Sequence, residues 1–340
     1  MVGTFPFRRY RQALLGLTLL LPFALLLGAG IGAYPIPPWA IPEILLKGEG
    51  VEYQVLTALR FPRVLGAGLV GGLLALAGAV LQGLFRNPLV DPGLIGVSSG
   101  AALGAALFIV LVPGAGVLET YALPLFAFLG GLLATLLLWR LAQTPLGVQV
   151  TVLLLAGIAL NALVGAGIGL LTFLATEEEL RSLTFWMLGG FSALTWRLLL
   201  AGLPLALLAL ALLLPLARGL NALALGEREA FHLGVDLERL KGRAVAGAAV
   251  GVGEAVAYGA LLGLLGLVAP HLFRLLAGPD HRYLLPGAFF LGGSLAVLAD
   301  LLARTLAAPA EIPVGVVTAL LGGPFFLYLV LKHKREVYRA

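Results

Sequence analysis

The chain has 340 residues, 60% of them hydrophobic and only 11% charged, with a formal net charge of +5 and a mean hydropathy of +1.04. Soluble domains are about 45–50% apolar and about 25% charged, so a soluble enzyme, a nucleic-acid-binding module and a disordered scaffold are excluded. What remains is an all-α integral membrane protein in contact with membrane lipid. A span takes roughly 20 apolar residues, which limits the chain to about ten helices and leaves almost nothing for a soluble domain.

In chain order, a cluster of Arg8, Arg9 and Arg11 precedes an apolar run that is too long for a signal-peptide core and lacks an A-x-A cleavage site. A retained first helix is therefore expected. The apolar stretches fall at 12–33, 63–84, 93–112, 121–142, 150–174, 193–217, 243–265, 285–306 and 313–332. They are too long, and too free of dyad alternation, for barrel strands. A shorter piece near 265–278, broken by Pro270, His271 and Arg274, is undecided by hydropathy.

Charge resolves that piece. Basic residues at both chain ends read as cytoplasmic under the positive-inside rule. Two ends on one side require an even number of spans, so the short piece becomes the tenth. Sixteen Lys and Arg then fall inside and six outside, accounting for all 22. The six are Lys47, Arg60, Arg63, Arg181, Arg197 and Arg304. Trp39, Trp139, Trp186 and Trp196 lie at or just beyond span ends, where interfacial indoles belong. The expectation is a single domain over 1–340, with a Pro-rich outside loop at 34–61 and a polar, partly amphipathic helical loop inside at 218–242.

Little in the sequence supports catalysis. Without cysteine there is no disulfide or thiolate chemistry, and His232, His271, His281 and His333 are too scattered for a metal site. No cofactor is expected. None of the four lysines is followed by Ser or Thr, so no P-loop exists. Any ATP hydrolysis belongs to another polypeptide, and the chain is not read as an enzyme. Glu254 is the only acid well inside a span. Buried intramembrane acids invite a pathway role, and the competing reading is a hydrogen-bonded structural acid. Gly66, Gly68, Gly71, Gly72 and Gly78 suit close helix contacts. No internal repeat is visible.

The ordered motifs are more specific. They run Arg60-x-Pro62-Arg63, Gln82, Arg86-Asn87-Pro88-Leu89-x-x-Pro92, Gly96-x-x-Ser99-Gly100-Ala101 and the loop Ala224 to Gly234. Then come Pro270-His271-x-x-Arg274, Asp280-His281-Arg282, Ala299-Asp300, Glu311-x-Pro313-Val314-Gly315 and Gly322-x-Pro324-x-Phe326. In this order they resemble the FecCD-type permease subunits of ABC importers for iron–siderophore complexes, haem and vitamin B12. One departure, Ala260 to Leu267 in place of a G-x-I-x-F-V-G-L pattern, is conservative in polarity.

The resemblance implies a ten-helix protomer in the bacterial cytoplasmic (inner) membrane. It implies a homodimer with the translocation path on its axis, two ATP-binding cassette subunits beneath and a periplasmic or lipid-anchored substrate-binding protein outside. It assigns binding-protein docking to Arg60, Arg63 and Arg304, where planar guanidinium groups suit carboxylates. ATPase coupling falls to Gly226, Ala230, Phe231, Leu233 and Gly234, and the cytoplasmic gate to Asn87, Leu89, Val150 and Thr151. The substrate is not readable among siderophore, haem and cobalamin. The competing reading is a stand-alone secondary transporter or channel, against which the scarcity of intramembrane carboxylates argues.

Overall fold

The computed structural model describes residues 7–112, 119–144, 147–259 and 261–337. The protein is helical almost throughout. Helix α1 (Phe7–Gly30) leads to two short helices, α2 (Ile41–Lys47) and α3 (Val51–Gln54), in the segment expected to be a loop. A π-helical turn at Val55–Arg60 feeds α4 (Phe61–Leu84). Next come α5 (Val97–Leu111), α6 (Glu119–Ala142), α7 (Val150–Leu174), α8 (Glu177–Leu188) and α9 (Trp196–Leu213). Short helices α10 (Ala217–Leu223) and α11 (Glu227–His232) precede α12 (Leu237–Ala257), α13 (Leu265–Ala277), α14 (His281–Thr305) and α15 (Val314–Val337). The described strands, Gln143–Thr144 and Gly147–Val148, form a small antiparallel pair with Gln143 opposite Val148.

Helix ends follow local chemistry. Thr176 and Glu179 form a reciprocal capping box at the start of α8, while Asp236 and Asp280 accept backbone N–H groups at the starts of α12 and α14. Pro22, Pro124 and Pro286 lie inside helices α1, α6 and α14, where membrane helices tolerate them more readily than soluble ones.

Among the described residues, six helices are long and apolar enough to cross a membrane, and α5, α13 and Val314–Tyr328 of α15 are shorter apolar helices. The long helices alternate in direction. Tyr10 stacks on Tyr283, and Asn221 bonds Asp280, at the face where α1 begins, here the near face. Arg63 meets Asp300, and the Val314 N–H bonds Gly189, at the far face.

The core is built around α4, which is enclosed by α1, α9, α12, α13 and α14. Small residues permit this. A β-carbon on Gly71 would lie 2.3 Å from the carbonyl oxygen of Gly292, and one on Gly78 would lie 1.9 Å from that of Gly266, so these backbones touch directly.

An internal repeat invisible in the sequence emerges from the packing. Replacing α4, α5, α6 and α7 by α12, α13, α14 and α15 maps the pairings onto themselves: α4–α14 onto α12–α6, α5–α6 onto α13–α14, α4–α13 onto α12–α5. Because α4 and α12 run in opposite directions, the two quartets are inverted copies. Each second member is short and preceded by a break in the chain.

Candidate functional site

Three polar regions stand out: a charged cluster at the far face, a helical corner at the near face, and a buried network between them and the core.

The far-face cluster is built where α4 begins and α14 ends. Asp300 is 1% exposed and accepts from Arg63 through Nε (3.0 and 3.1 Å) and Nη2 (2.8 Å). The same guanidinium donates to Glu311 at 3.0 Å through both Nη atoms. Arg304 Nε lies 3.5 Å from Asp300, and its Nη2 donates to the Gly28 carbonyl. Arg60, placed by the π-helical turn, donates to the carbonyls of Ala29 (2.8 Å), Gly30 (3.1 Å) and Tyr34. Thus Arg60 and Arg304, expected at an exposed rim, are buried and turned onto the end of α1. Arg63 sits at the edge, beside a cleft of about 350 Å³ lined by Trp186, Phe191, Glu311 and Pro313. Positive-inside reasoning reports that a charge is present; it does not report which carbonyls or carboxylates lie within reach.

The near-face corner is α10–α11 with its turns. Gly226 (φ +133°) and Gly234 (φ +80°) occupy backbone conformations that side chains rarely adopt. Ala230 is fully buried, while Phe231 and Leu233 are 68% and 64% exposed. The corner is tethered at both ends. Lys241 Nζ reaches Glu227 (3.3 Å) and the Val148 carbonyl (3.3 Å). Asn221 donates to Asp280 at 2.8 Å and accepts from the His281 backbone N–H at 3.0 Å. Burial alone would raise the Asp280 carboxyl, but hydrogen bonds from Arg282 and Asn221 more than offset this and hold it below the ordinary carboxylate value.

Asn87 and Leu89 are exposed at the near face, where Asn87 Oδ1 accepts the Leu89 N–H at 3.0 Å. Thr151 is exposed at the start of α7, and the side chain of Val150 lies outside the described residues. Glu254 is turned away from the clefts described here. It accepts the Tyr258 hydroxyl at 3.1 Å and faces Gly202 of α9.

Sequence reasoning missed the buried network. Arg274 Nη1 donates to Gln82 Oε1 at 2.5 Å, and Gln82 Nε2 donates to the carbonyls of Val90 and Gly266, each at 3.3 Å. Gln82 and Arg274 were visible as motif residues 192 positions apart; nothing in the sequence pairs them.

Against known proteins, the model of the FecCD transport family matches residues 19–332. The chain is 45% identical over 287 residues to the hemin transport system permease protein HmuU of Yersinia pestis, covering 84% of this chain and 85% of that protein. It is 42% identical over 327 residues to the vitamin B12 import system permease protein BtuC of Escherichia coli, covering 95% of each. A solved structure described as an inward-facing conformation of a metal-chelate type ABC transporter superposes with a TM-score of 0.85 at 38% identity, covering 95% of this chain and 99% of that one. The family match takes in the far-face cluster, the near-face corner and the buried network. The chain is a multi-pass membrane transport protein of the FecCD family.

Proposed function

We propose that the chain is the permease subunit of an ATP-driven importer, working as a homodimer in the bacterial inner membrane and moving haem, cobalamin or an iron–siderophore complex. Ten helices cross the bilayer, and the near face, with both termini, is cytoplasmic. The carrying observation is the near-face corner. Exposed Phe231 and Leu233 beside buried Ala230, on short helices fixed by Asn221 and Lys241, make an apolar knob on a rigid polar base. A solvated connector does not need such anchors, whereas a knob seated in a groove of a soluble ATPase subunit does.

At the far face the binding protein docks over the Arg63–Glu311 edge. Arg60, Arg63 and Arg304 carry three positive charges against two negative from Asp300 and Glu311, leaving one net positive charge for an acidic partner. Arg63 makes the contact, and Arg60 and Arg304 shape the platform. Asn87, Leu89, Val150 and Thr151 narrow the cytoplasmic exit. Glu254 orients the Tyr258 hydroxyl, which ties α12 to the Leu198 and Leu199 carbonyls of α9, and does not meet substrate.

The test is reconstitution with the ATPase subunits and the binding protein in proteoliposomes. ATP-dependent uptake, with hydrolysis stimulated by one of haem, cobalamin or a ferric siderophore, is expected. Uptake driven by an ion gradient without ATP would overturn the proposal and favour a secondary carrier.

A further inference from the structure

Two chain breaks interrupt the central quartets, one before α5 at Arg86–Ile95 and one before α13 at Leu261–Leu264. Among the described residues, Arg86 (φ +51°) and Leu264 (φ +71°) are the only non-glycine residues in the left-handed region. Each of the two lies in one of these breaks. A side chain bears a steric cost in that region; at Arg86 it is offset by the helix-end bonds from the Arg86 N–H to the Gly83 carbonyl and from the Asn87 N–H to the Gln82 carbonyl, which close α4. The breaks face one another across a cavity of about 190 Å³ lined by Asp91, Gly93, Ser98, Leu262 and Gly266.

One side chain spans both. Gln82 donates to Val90 in the first break and to Gly266 just after the second, while accepting from Arg274 of α13. The same end of α4 touches the near-face corner. A β-carbon on Gly83 would lie 2.5 Å from His281 Nε2, and His281 Nδ1 is 2.8 Å from Asn221 Oδ1 on α10. A left-handed residue in each break, open volume between residues 91–93 of one and 261–263 of the other, and a single amide bonded to both sides are the parts of a latched hinge.

We propose that Gln82 and Arg274 are positioning residues. They latch the two breaks in the conformation seen here, and the latch is released and reset through the Asn221–His281 contact as α10–α11 is moved by the partner below. The inference rests on the reading of the chain as an ATP-driven permease. Unlatching lets Arg86 and Leu264 leave the left-handed region and moves the Asn87–Leu89 corner.

The two halves of the device have opposite signs. Arg86→Gly removes strain that opposes the latched state and shifts the equilibrium toward it. Gln82→Glu keeps an acceptor for Arg274 but loses both donated bonds, and shifts it away; Gln82→Leu does the same more strongly. Each shift is about tenfold in population ratio.

The chain has no cysteine, so Leu89→Cys gives one spin-label site per protomer in a complex with cysteine-free partners. Distances between the labels are measured in the assembled complex with and without ATP, together with ATP hydrolysed per substrate transported. Wild-type ATP-driven uptake sets the reference and is the separate test of the permease reading. With that reference in place, opposite shifts for Arg86→Gly and the Gln82 variants, with a raised ATP-to-substrate ratio, are expected. Unchanged distances, or shifts in the same direction, would overturn the hinge. A stability loss with an unchanged ratio would also overturn it, by making Gln82 purely structural.

Discussion

Replacing Asp300 by Ala tests whether the far-face cluster holds the fold together. Asp300 is the acceptor for three guanidinium contacts from Arg63, at 2.8 to 3.1 Å, and lies 3.5 Å from Arg304. Removing it leaves Arg304, 7% exposed at its side chain, with no opposite charge in contact. Arg63 keeps only Glu311. Deleting one partner of a buried pair leaves an uncompensated charge and costs about 3–5 kcal/mol. Glu311 is the internal control. It meets the same guanidinium at 3.0 Å but is 47% exposed, and an ion pair of that exposure contributes about 0.2–1 kcal/mol. Thermal or denaturant unfolding of the detergent-solubilised protein should therefore be strongly shifted by Asp300→Ala and barely shifted by Glu311→Gln. Equal shifts, or a negligible effect of Asp300→Ala, would refute the view that burial sets the strength of these two pairs.

Other outcomes follow from the same structure. Glu311→Gln raises the cluster from one net positive charge to two, so a binding protein with acidic docking residues should associate faster at low salt, measured by surface-captured kinetics. Gly78→Ala, whose β-carbon would meet the Gly266 backbone, should cost about 1–3 kcal/mol in the unfolding assay, whereas Gly16→Ala, with open space around it, should be neutral. Gly234→Arg at φ +80° should leave the fold intact but abolish co-purification of the ATPase subunits; normal assembly would remove the corner from the docking surface. Asp280 is held below its ordinary value, so its contribution is complete above about pH 4 and is lost as pH falls through its folded-state value. The acid limb of stability should flatten in Asp280→Asn. Glu254→Gln should leave uptake unchanged, since an amide still accepts from Tyr258; lost transport would put Glu254 on the pathway.

Much of the helical layout was legible in the sequence, because lipid as solvent makes long apolar runs nearly unambiguous. Each of the ten expected stretches overlaps a long or medium helix, and the short piece near 265–278 holds α13. The ends were less legible. The apolar stretch at 243–265 continues past Ala257, where α12 stops, because hydropathy does not register a helix break whose residues are themselves apolar. Helix α8 was missed because Glu177, Glu178, Glu179 and Arg181 read as outside loop, although Thr176 and Glu179 form a capping box that marks a helix start. The inverted repeat left no trace by eye, since apolar spans exchange Leu, Val and Ala freely while keeping their packing. Of the candidate residues, the glycines and exposed apolar groups of the corner were readable from type and spacing. The partners of Arg60, Arg63 and Arg304 were not, because they lie up to 276 positions away and depend on α14 folding back along α1 and α4.

The enclosure of α4 bears on how the protein is made. The most apolar window of the stretch Val51–Leu84 has a mean hydropathy of 2.3, enough to enter the bilayer alone, yet 89% of that window ends buried in protein. It must therefore exchange a lipid coat for a protein one. Three of its wrapping helices, α12, α13 and α14, are synthesised more than 150 residues later. Until they emerge, the faces of α4 that carry Gly71 and Gly78 lack the α14 and α13 backbones they meet in the finished molecule and have lipid chains to pack against instead. A chain truncated before α12 would thus be inserted but hollow, a ready substrate for membrane proteases.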